Sequence, residues 1–292
     1  MVYRPSFHGS LAVVLFALLV SGCSTSRFAV GAMVPVLDNA RDTAMASDDV
    51  RTFRDAAPAN LFLLEGLIAT DPDRSELRLD AAMLYFSYAF SFIESTSPAY
   101  ASSLYQKGFH HGRAALLKNK KLPRDWDIPL ASFTTGLKAL RKKDVPAAVW
   151  TAVNWAQFIS LHLDSIAVLR DIPKVSSLLE RVGELDGSYF DGMVYAMIGS
   201  LHAFRPPLMG GSPEKSRENF EKSFRVSGGR FLLSRYLYAR FYLYRIQDGA
   251  AFEKTLTGII RTPEISSDPY RLLNRIARSK SRDLLGEFDD LF

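Results

Sequence analysis

The sequence predicts an all-α protein of stacked helical hairpins, about a dozen helices in all. Three observations predict it. From about Val36 to the end, apolar residues recur at three- and four-residue spacings, and no run keeps the period-two alternation of a half-buried strand. Proline- and glycine-centred breaks cut that stretch at short intervals. Short segments that end at these breaks resemble one another, as expected of a repeat.

The chain divides before the helices begin. Arg4 precedes an uninterrupted apolar run, Leu11 to Val20, the order of a secretory signal. Ten apolar residues are too few for a membrane-spanning helix, which needs about 20, so the run reads as a cleaved export signal. It ends in Val20-Ser21-Gly22-Cys23, which looks like a lipobox: a branched residue, two small ones, then the cysteine that accepts a diacylglyceryl group. Cys23 is the single cysteine of the 292 residues, so no intramolecular disulfide is possible and the thiol is free for lipid. Residues 1–22 are thus expected to be a signal peptide, 23–35 a lipid-anchored tether and 36–292 one helical domain. Ser24 resembles the outer-membrane sorting residue of Gram-negative lipoproteins, which implies a protein facing the periplasm.

Composition supports a packed domain. Apolar residues make up 48% and aromatic ones 12%, too many for a disordered chain. The net charge of +5 is spread over Lys118–Lys121, Lys138–Lys143 and Arg275–Arg282, which read as solvated helix faces and not as a nucleic-acid interface.

Breaks are expected at Pro58, Asp71-Pro72, Ser97-Pro98, Leu122-Pro123, Asp144-Val145-Pro146, Ile172-Pro173, Asp186-Gly187, Pro206-Pro207, Gly228-Gly229 and Thr262-Pro263. Asp73 and Glu76 have capping-box spacing, Ser212-Pro213 reads as an N-cap with proline at the first helical position, and Gly211 is expected at positive φ. Leu63-Leu64-Glu65-Gly66-Leu67 running to Asp71 matches Leu178-Leu179-Glu180-Arg181-Val182 running to Asp186, and Phe220 to Phe224 running to Gly228 makes a third copy. A small residue among large ones, as Ala81 between Leu77 and Leu84, would let an antiparallel neighbour approach closely. This is the tetratricopeptide pattern in cryptic form, with Pro206 to Gly211 as a loop insertion.

Three stretches resemble a known family. They are Asp144-Val145-Pro146-Ala147-Ala148-Val149-Trp150 through Trp155 with Asp171-Ile172-Pro173-Lys174-Val175, then Leu208-Met209-Gly210-Gly211-Ser212-Pro213-Glu214-Lys215-Ser216 with Phe220-Glu221, and finally Tyr238-Ala239-Arg240 with Gln247-Asp248. In this order they resemble the TatT-type T component of the TRAP transporters associated with tetratricopeptide proteins. Ser216 departs from the repeat's usual alanine but stays small. The resemblance implies a membrane-tethered helical repeat protein that partners a substrate-binding P component, forms a homotrimer and channels an apolar small molecule.

Tyr85, Phe86, Tyr88, Phe90 and Phe92 put five aromatics in eight residues, more than one helix face can hide. A second surface is needed, either a ligand channel or further core. Trp150 and Trp155 lie about 140° apart on a helix. Tyr236, Tyr238, Phe241, Tyr242 and Tyr244 are threaded with Arg235, Arg240 and Arg245, as a docking face or as an arginine ridge over a tyrosine core. From these runs the candidate ligand-binding residues are Tyr85, Tyr88, Phe92, Trp155 and Tyr238. His110-His111 diverge by about 100° on a helix and have no carboxylate three or four residues away, so no metal is expected. Gly210 to Ser216 lacks phosphate-loop spacing, and no G-x-S-x-G or H-E-x-x-H motif occurs. No cofactor and no catalysis are expected. The functional expectation is an accessory component of a TRAP-type solute transporter, and the alternative is a periplasmic repeat scaffold for protein–protein contacts in envelope assembly.

The anchor is directly testable. Cys23→Ser is expected to move the protein from the membrane fraction to the soluble one, because the thiol is the acyl acceptor and the apolar run is short; fractionation followed by immunoblotting reads the outcome.

Overall fold

The computed structural model describes residues 7–207 and 210–292, with side chains from residue 25 onward apart from 208 and 209. Arg4, the Cys23 thiol and the Leu208-Met209 step lie outside what is described. Among the described residues there is no strand. The helices are α1 (Phe7–Ala46), α2 (Val50–Thr70), α3 (Ser75–Tyr88), α4 (Pro98–Leu116), α5 (Leu130–Leu137), α6 (Val145–Ser160), α7 (Ile166–Leu169), α8 (Ile172–Asp186), α9 (Tyr189–Phe204), α10 (Pro213–Ser227), α11 (Leu232–Leu237), α12 (Gly249–Arg261), α13 (Arg271–Gly286) and α14 (Phe288–Leu291). Two wider π-helical turns, Ala89–Ile93 and Tyr238–Leu243, continue α3 and α11. The all-helical expectation holds.

The three repeat copies fall on α2, α8 and α10, each the first helix of a hairpin whose turn is Asp71-Pro72, Asp186-Gly187 or Gly228-Gly229. Gly228 and Gly229 adopt φ of 58° and 74°, the left-handed geometry that ends a helix without a Cβ clash. Four prolines stand at helix starts: Pro98, Pro146, Pro173 and Pro213 occupy first-turn positions of α4, α6, α8 and α10. Ser212 caps α10 by accepting a hydrogen bond from Lys215 N at 3.2 Å.

Three local expectations need correction. Pro58 lies inside α2 and does not break it; Ala57, Leu61, Leu64 and Ile68 form a buried stripe through that point, so packing carries a defect worth ~3 kcal/mol in an isolated helix. The Asp73–Glu76 capping box does not form, because Arg74 is the N-cap of α3 and Asp73 pairs with Lys118 Nζ at 2.7 Å. Positive φ belongs to Gly210, at 83°, and not to Gly211. Gly211 is required for a different reason: a Cβ there would sit 1.9 Å from the Arg205 carbonyl oxygen. Residues 23–35 form part of α1. Within it Val30 is buried, and Arg41 further along holds the helix to α3 through Asp80 at 2.7 Å.

Close helix contacts are made by small residues. On α4, a Cβ at Gly108 would lie 2.1 Å from Asn154 Oδ1 and one at Gly112 would lie 2.7 Å from Thr151 Oγ1, both on α6. Asn154, fully buried, donates to Ala82 O of α3 at 3.0 Å and to Trp150 O at 2.7 Å, so α3, α4 and α6 meet at one amide. On the α9–α10 contact, Gly199 faces Phe220 and the Ser216 carbonyl, and Ser216 is fully buried. A small hydroxyl therefore serves where the repeat's alanine is usual. Gly108→Ala is expected to lower stability by ~1–3 kcal/mol through overpacking. Gly66→Ala, at an exposed α2 position where a Cβ meets nothing within 4 Å, is expected to raise it by ~0.5–1 kcal/mol. Thermal melts of the two variants should shift in opposite directions.

Candidate functional site

The aromatic run after Tyr85 resolves its crowding by changing helix type. At Ala89–Ile93 the turn widens, and Glu94 N donates to Ala89 O at 2.9 Å, five residues back. π-helical turns often occur at functional sites. Phe86 and Phe90, four residues apart and so on one helix face, turn inward together, stacked at 5.6 Å and 6°. The second widened turn, Tyr238–Leu243, faces the first across the core and presents Phe241 and Arg240.

Between the two turns lies a narrow apolar slot of about 30 Å³. Phe86, Phe90, Met193, Met197, Leu201 and Phe241 line it, and Gln157, Ser160 and Ser200 are its polar members. The Gln157 amide opens onto a buried polar cluster. Gln157 Nε2 donates to Glu94 Oε2 at 3.0 Å, Tyr105 OH donates to the same oxygen, and Arg240 Nη2 donates to Glu94 Oε1 at 2.9 Å. Lys280 of α13 places Nζ 4.6 Å from the Phe90 ring centroid. Three helical segments thus donate to one carboxylate, with the Lys280 ammonium nearby.

Electrostatics decide the protonation states here. Burial alone would raise the pKa of Glu94, but the Arg240 charge and the hydrogen bonds from Tyr105 and Arg240 outweigh it and hold the carboxyl below its ordinary value. The Tyr105 phenol is pushed up, by burial first and by Glu94 second. Lys280 is pushed down to about 8, by burial and then by repulsion from Arg240. A carboxylate with one close cation and a second nearby fits a charged, hydrogen-bonded latch; nothing in it supplies a nucleophile with an adjacent base.

The five residues expected from sequence lie in four separate places. Tyr85 is buried against α2 and α4, donating to Glu65 Oε1 at 2.7 Å and stacking on His111 at 5.8 Å. The carboxylate that sequence spacing denies to His111 comes from another helix, with Glu65 Oε1 3.0 Å from Nε2. Tyr88 and Phe92 are half-buried and pack on each other at 6.2 Å, with Phe53 of α2 beside Phe92. Trp155 belongs to an aromatic group with Phe109, Trp126 and Phe133, on the wall of an open cleft of about 290 Å³ rimmed by Arg113, Asp127 and Arg170. Tyr238 packs on Phe220, Phe224 and Tyr242. The slot takes their neighbours Phe86, Phe90 and Phe241 instead. Sequence reading missed Glu94, Tyr105, Gln157 and Lys280, and it offered Arg240 only a docking face or a solvated ridge, whereas the guanidinium turns inward.

Comparison with known proteins places this geometry. The family model of the TRAP transporter T-component matches residues 46–292. The chain belongs to that family. The T-component match starts at the end of α1 and takes in the slot, the polar cluster and all five sequence candidates. A protein of Treponema pallidum (strain Nichols), described as uncharacterized, is 23% identical over 323 aligned residues, covering 98% of this chain and 99% of its own length. The T-component assignment carries a TRAP-associated accessory role, one that implies no chemistry of its own.

The Lys280 penalty can be read in solution. Between a folded-state value of about 8 and the ordinary 10.5, the unfolded chain binds more protons than the folded one, so stability rises with pH across that window. Below it both states are protonated and the folded state bears the full penalty. Lys280→Met is therefore expected to stabilise the protein at pH 7 by ~1–3 kcal/mol and to flatten the rise between pH 8 and 10.5, as measured by thermal melts across pH.

Proposed function

We propose that this T-component is a lipid-anchored periplasmic protein that binds or channels a hydrophobic small molecule and docks the substrate-binding P component of its transporter. The observation that carries the ligand is the convergence of two π-helical turns on one apolar slot. Small-molecule sites commonly occupy ~300–1,000 Å³, so the slot must widen to admit one. Its lining suits that: Met193 and Met197 are unbranched and adapt to different shapes. A lining with almost no polar surface selects an apolar guest, and the Gln157 amide offers it one directional contact.

Trp at position 197 fills the space that Met197 leaves. The mature chain, Ser replacing Cys23, is expected to bind an apolar fluorescent probe saturably while folded, and Met197→Trp or Leu201→Trp is expected to lower that affinity at least tenfold in a protein that still melts cooperatively, at a cost of ~1–3 kcal/mol in stability from overpacking. A wild type that binds no apolar probe would leave the periplasmic scaffold as the better reading.

A further inference from the structure

The basic run Lys118–Lys121 and the basic run Lys138–Lys143, separate in sequence, come together at one end of the molecule. They flank an open cleft of about 550 Å³ between the end of α4 and the starts of α3 and α6. Lys118, Lys120, Lys121, Arg141 and Lys143 line it against two acids, Glu76 and Asp144. Asp144 is already engaged, accepting from Asn119 Nδ2 and Arg141 N, each at 3.0 Å. Lys118 and Lys142 pair with Asp73 and Asp186, but among the described residues no ion pair holds Lys120, Lys121, Arg141 or Lys143, and all four are exposed.

The position of this end gives the charge a meaning. Asp73, the partner of Lys118, feels the charge of Arg27, and a Cβ at Gly31 would touch the Arg74 guanidinium at 2.9 Å. The cleft therefore lies beside residues 27–31 of α1. Arg27 is four residues from Cys23, about 6 Å of helical rise. An acyl chain on Cys23 would hold this end within about one Debye length of lipid headgroups, ~8–10 Å at physiological ionic strength.

We propose that the cleft formed by Lys120, Lys121, Arg141 and Lys143 is a membrane-facing surface that binds anionic phospholipid headgroups and orients the helical body on the bilayer. The membrane's nearness rests on the acylation of Cys23; the charge surface does not, so the two can fail separately. Basic residues close to an anionic leaflet each strengthen binding about fivefold. The spare cations sit on short loops at helix ends, where a flat headgroup layer can reach them together.

The test uses the mature chain carrying Cys23→Ser, so that no acyl chain contributes. It is expected to sediment with phosphatidylglycerol–phosphatidylcholine vesicles and not with pure phosphatidylcholine ones, and to be released by added salt. Lys120→Gln with Lys121→Gln should weaken binding about 25-fold at low salt. Lys254→Gln with Arg261→Gln, on α12, remove the same charge from exposed positions on another part of the molecule and should change it less than about twofold. Equal loss from the two pairs would reduce the effect to net charge and overturn the proposal. So would equal binding to both vesicle types, or none to either, the result expected if the cleft serves an acidic protein surface. A failed Cys23→Ser fractionation alongside charge-dependent vesicle binding would overturn the acyl anchor alone.

Discussion

One buried carboxylate ties the architecture together. Glu94 sits just beyond the first π-helical turn, and its oxygens accept hydrogen bonds from α4, α6 and the second π-helical turn. Taking a carboxylate out of water costs several kcal/mol unless charge and hydrogen bonds replace the lost solvent. Here Arg240, Tyr105 and Gln157 replace it, and each partner must be held in place by its own helix. The packing of Phe90 and Phe241 follows from that placement, because Phe90 lies in the turn that Glu94 closes and Phe241 in the turn that carries Arg240. Such a pair adds little net stability over an apolar substitute, yet losing one partner would strand a buried charge. Its effect is to fix which turns face each other.

A second constraint works through absence of side chain. Gly108, Gly112 and Gly199 bring helix axes close enough that a single methyl would meet Asn154, Thr151 or Phe220 inside contact distance. Between the α4–α6 and α9–α10 contacts, α6, α8 and α9 pack on one another in order, so the tight pairs at either side determine the spacing across which the slot forms. The slot is narrow because the helices around it are held by these small residues and cannot settle further apart without losing the Asn154 bridge to Ala82 and Trp150.

Much of this was legible in the sequence and some of it was not. Helix boundaries were readable because proline and glycine act locally: Pro98, Pro146, Pro173 and Pro213 each fix a start wherever the chain later packs. Pro58 deceived for the complementary reason, since a buried stripe on both sides overrides the local signal. The crowding of five aromatics was visible, and four-residue spacing sorts four of them into the pairs Phe86 with Phe90 and Tyr88 with Phe92. Spacing alone does not say that the first pair meets the slot while the second packs toward Phe53 of α2. Glu94 and Arg240 are 146 residues apart, and no spacing rule links an acid before a Ser-Pro break to an arginine among tyrosines. The inward turn of Arg240 is the signature of a long-range pair, invisible until the fold brings both ends together.

The slot's remaining wall depends on a strained connection. Phe190, Asp191 and Gly192 take left-handed conformations, with φ of 51°, 51° and 75°, where α8 hands over to α9. Such conformations cost about 1–2 kcal/mol for each residue with a Cβ, so something must hold Phe190 there. Its ring lies against Trp150 at 5.3 Å, Phe231 at 5.9 Å and Tyr270 at 4.9 Å, contacts from α6, the start of α11 and the approach to α13. Gly192 completes the turn where a Cβ would press on Val226 of α10 at 2.9 Å. Met193 follows immediately and Met197 lies one turn later, so the left-handed connection sets the phase at which α9 presents both methionines to the slot. Because the connection is pinned by three rings from three elements, it is the rigid side of the site. Adjustment to a guest must then come from the rotamers of the two methionines, since the Glu94–Arg240 pair ties the two widened turns to each other.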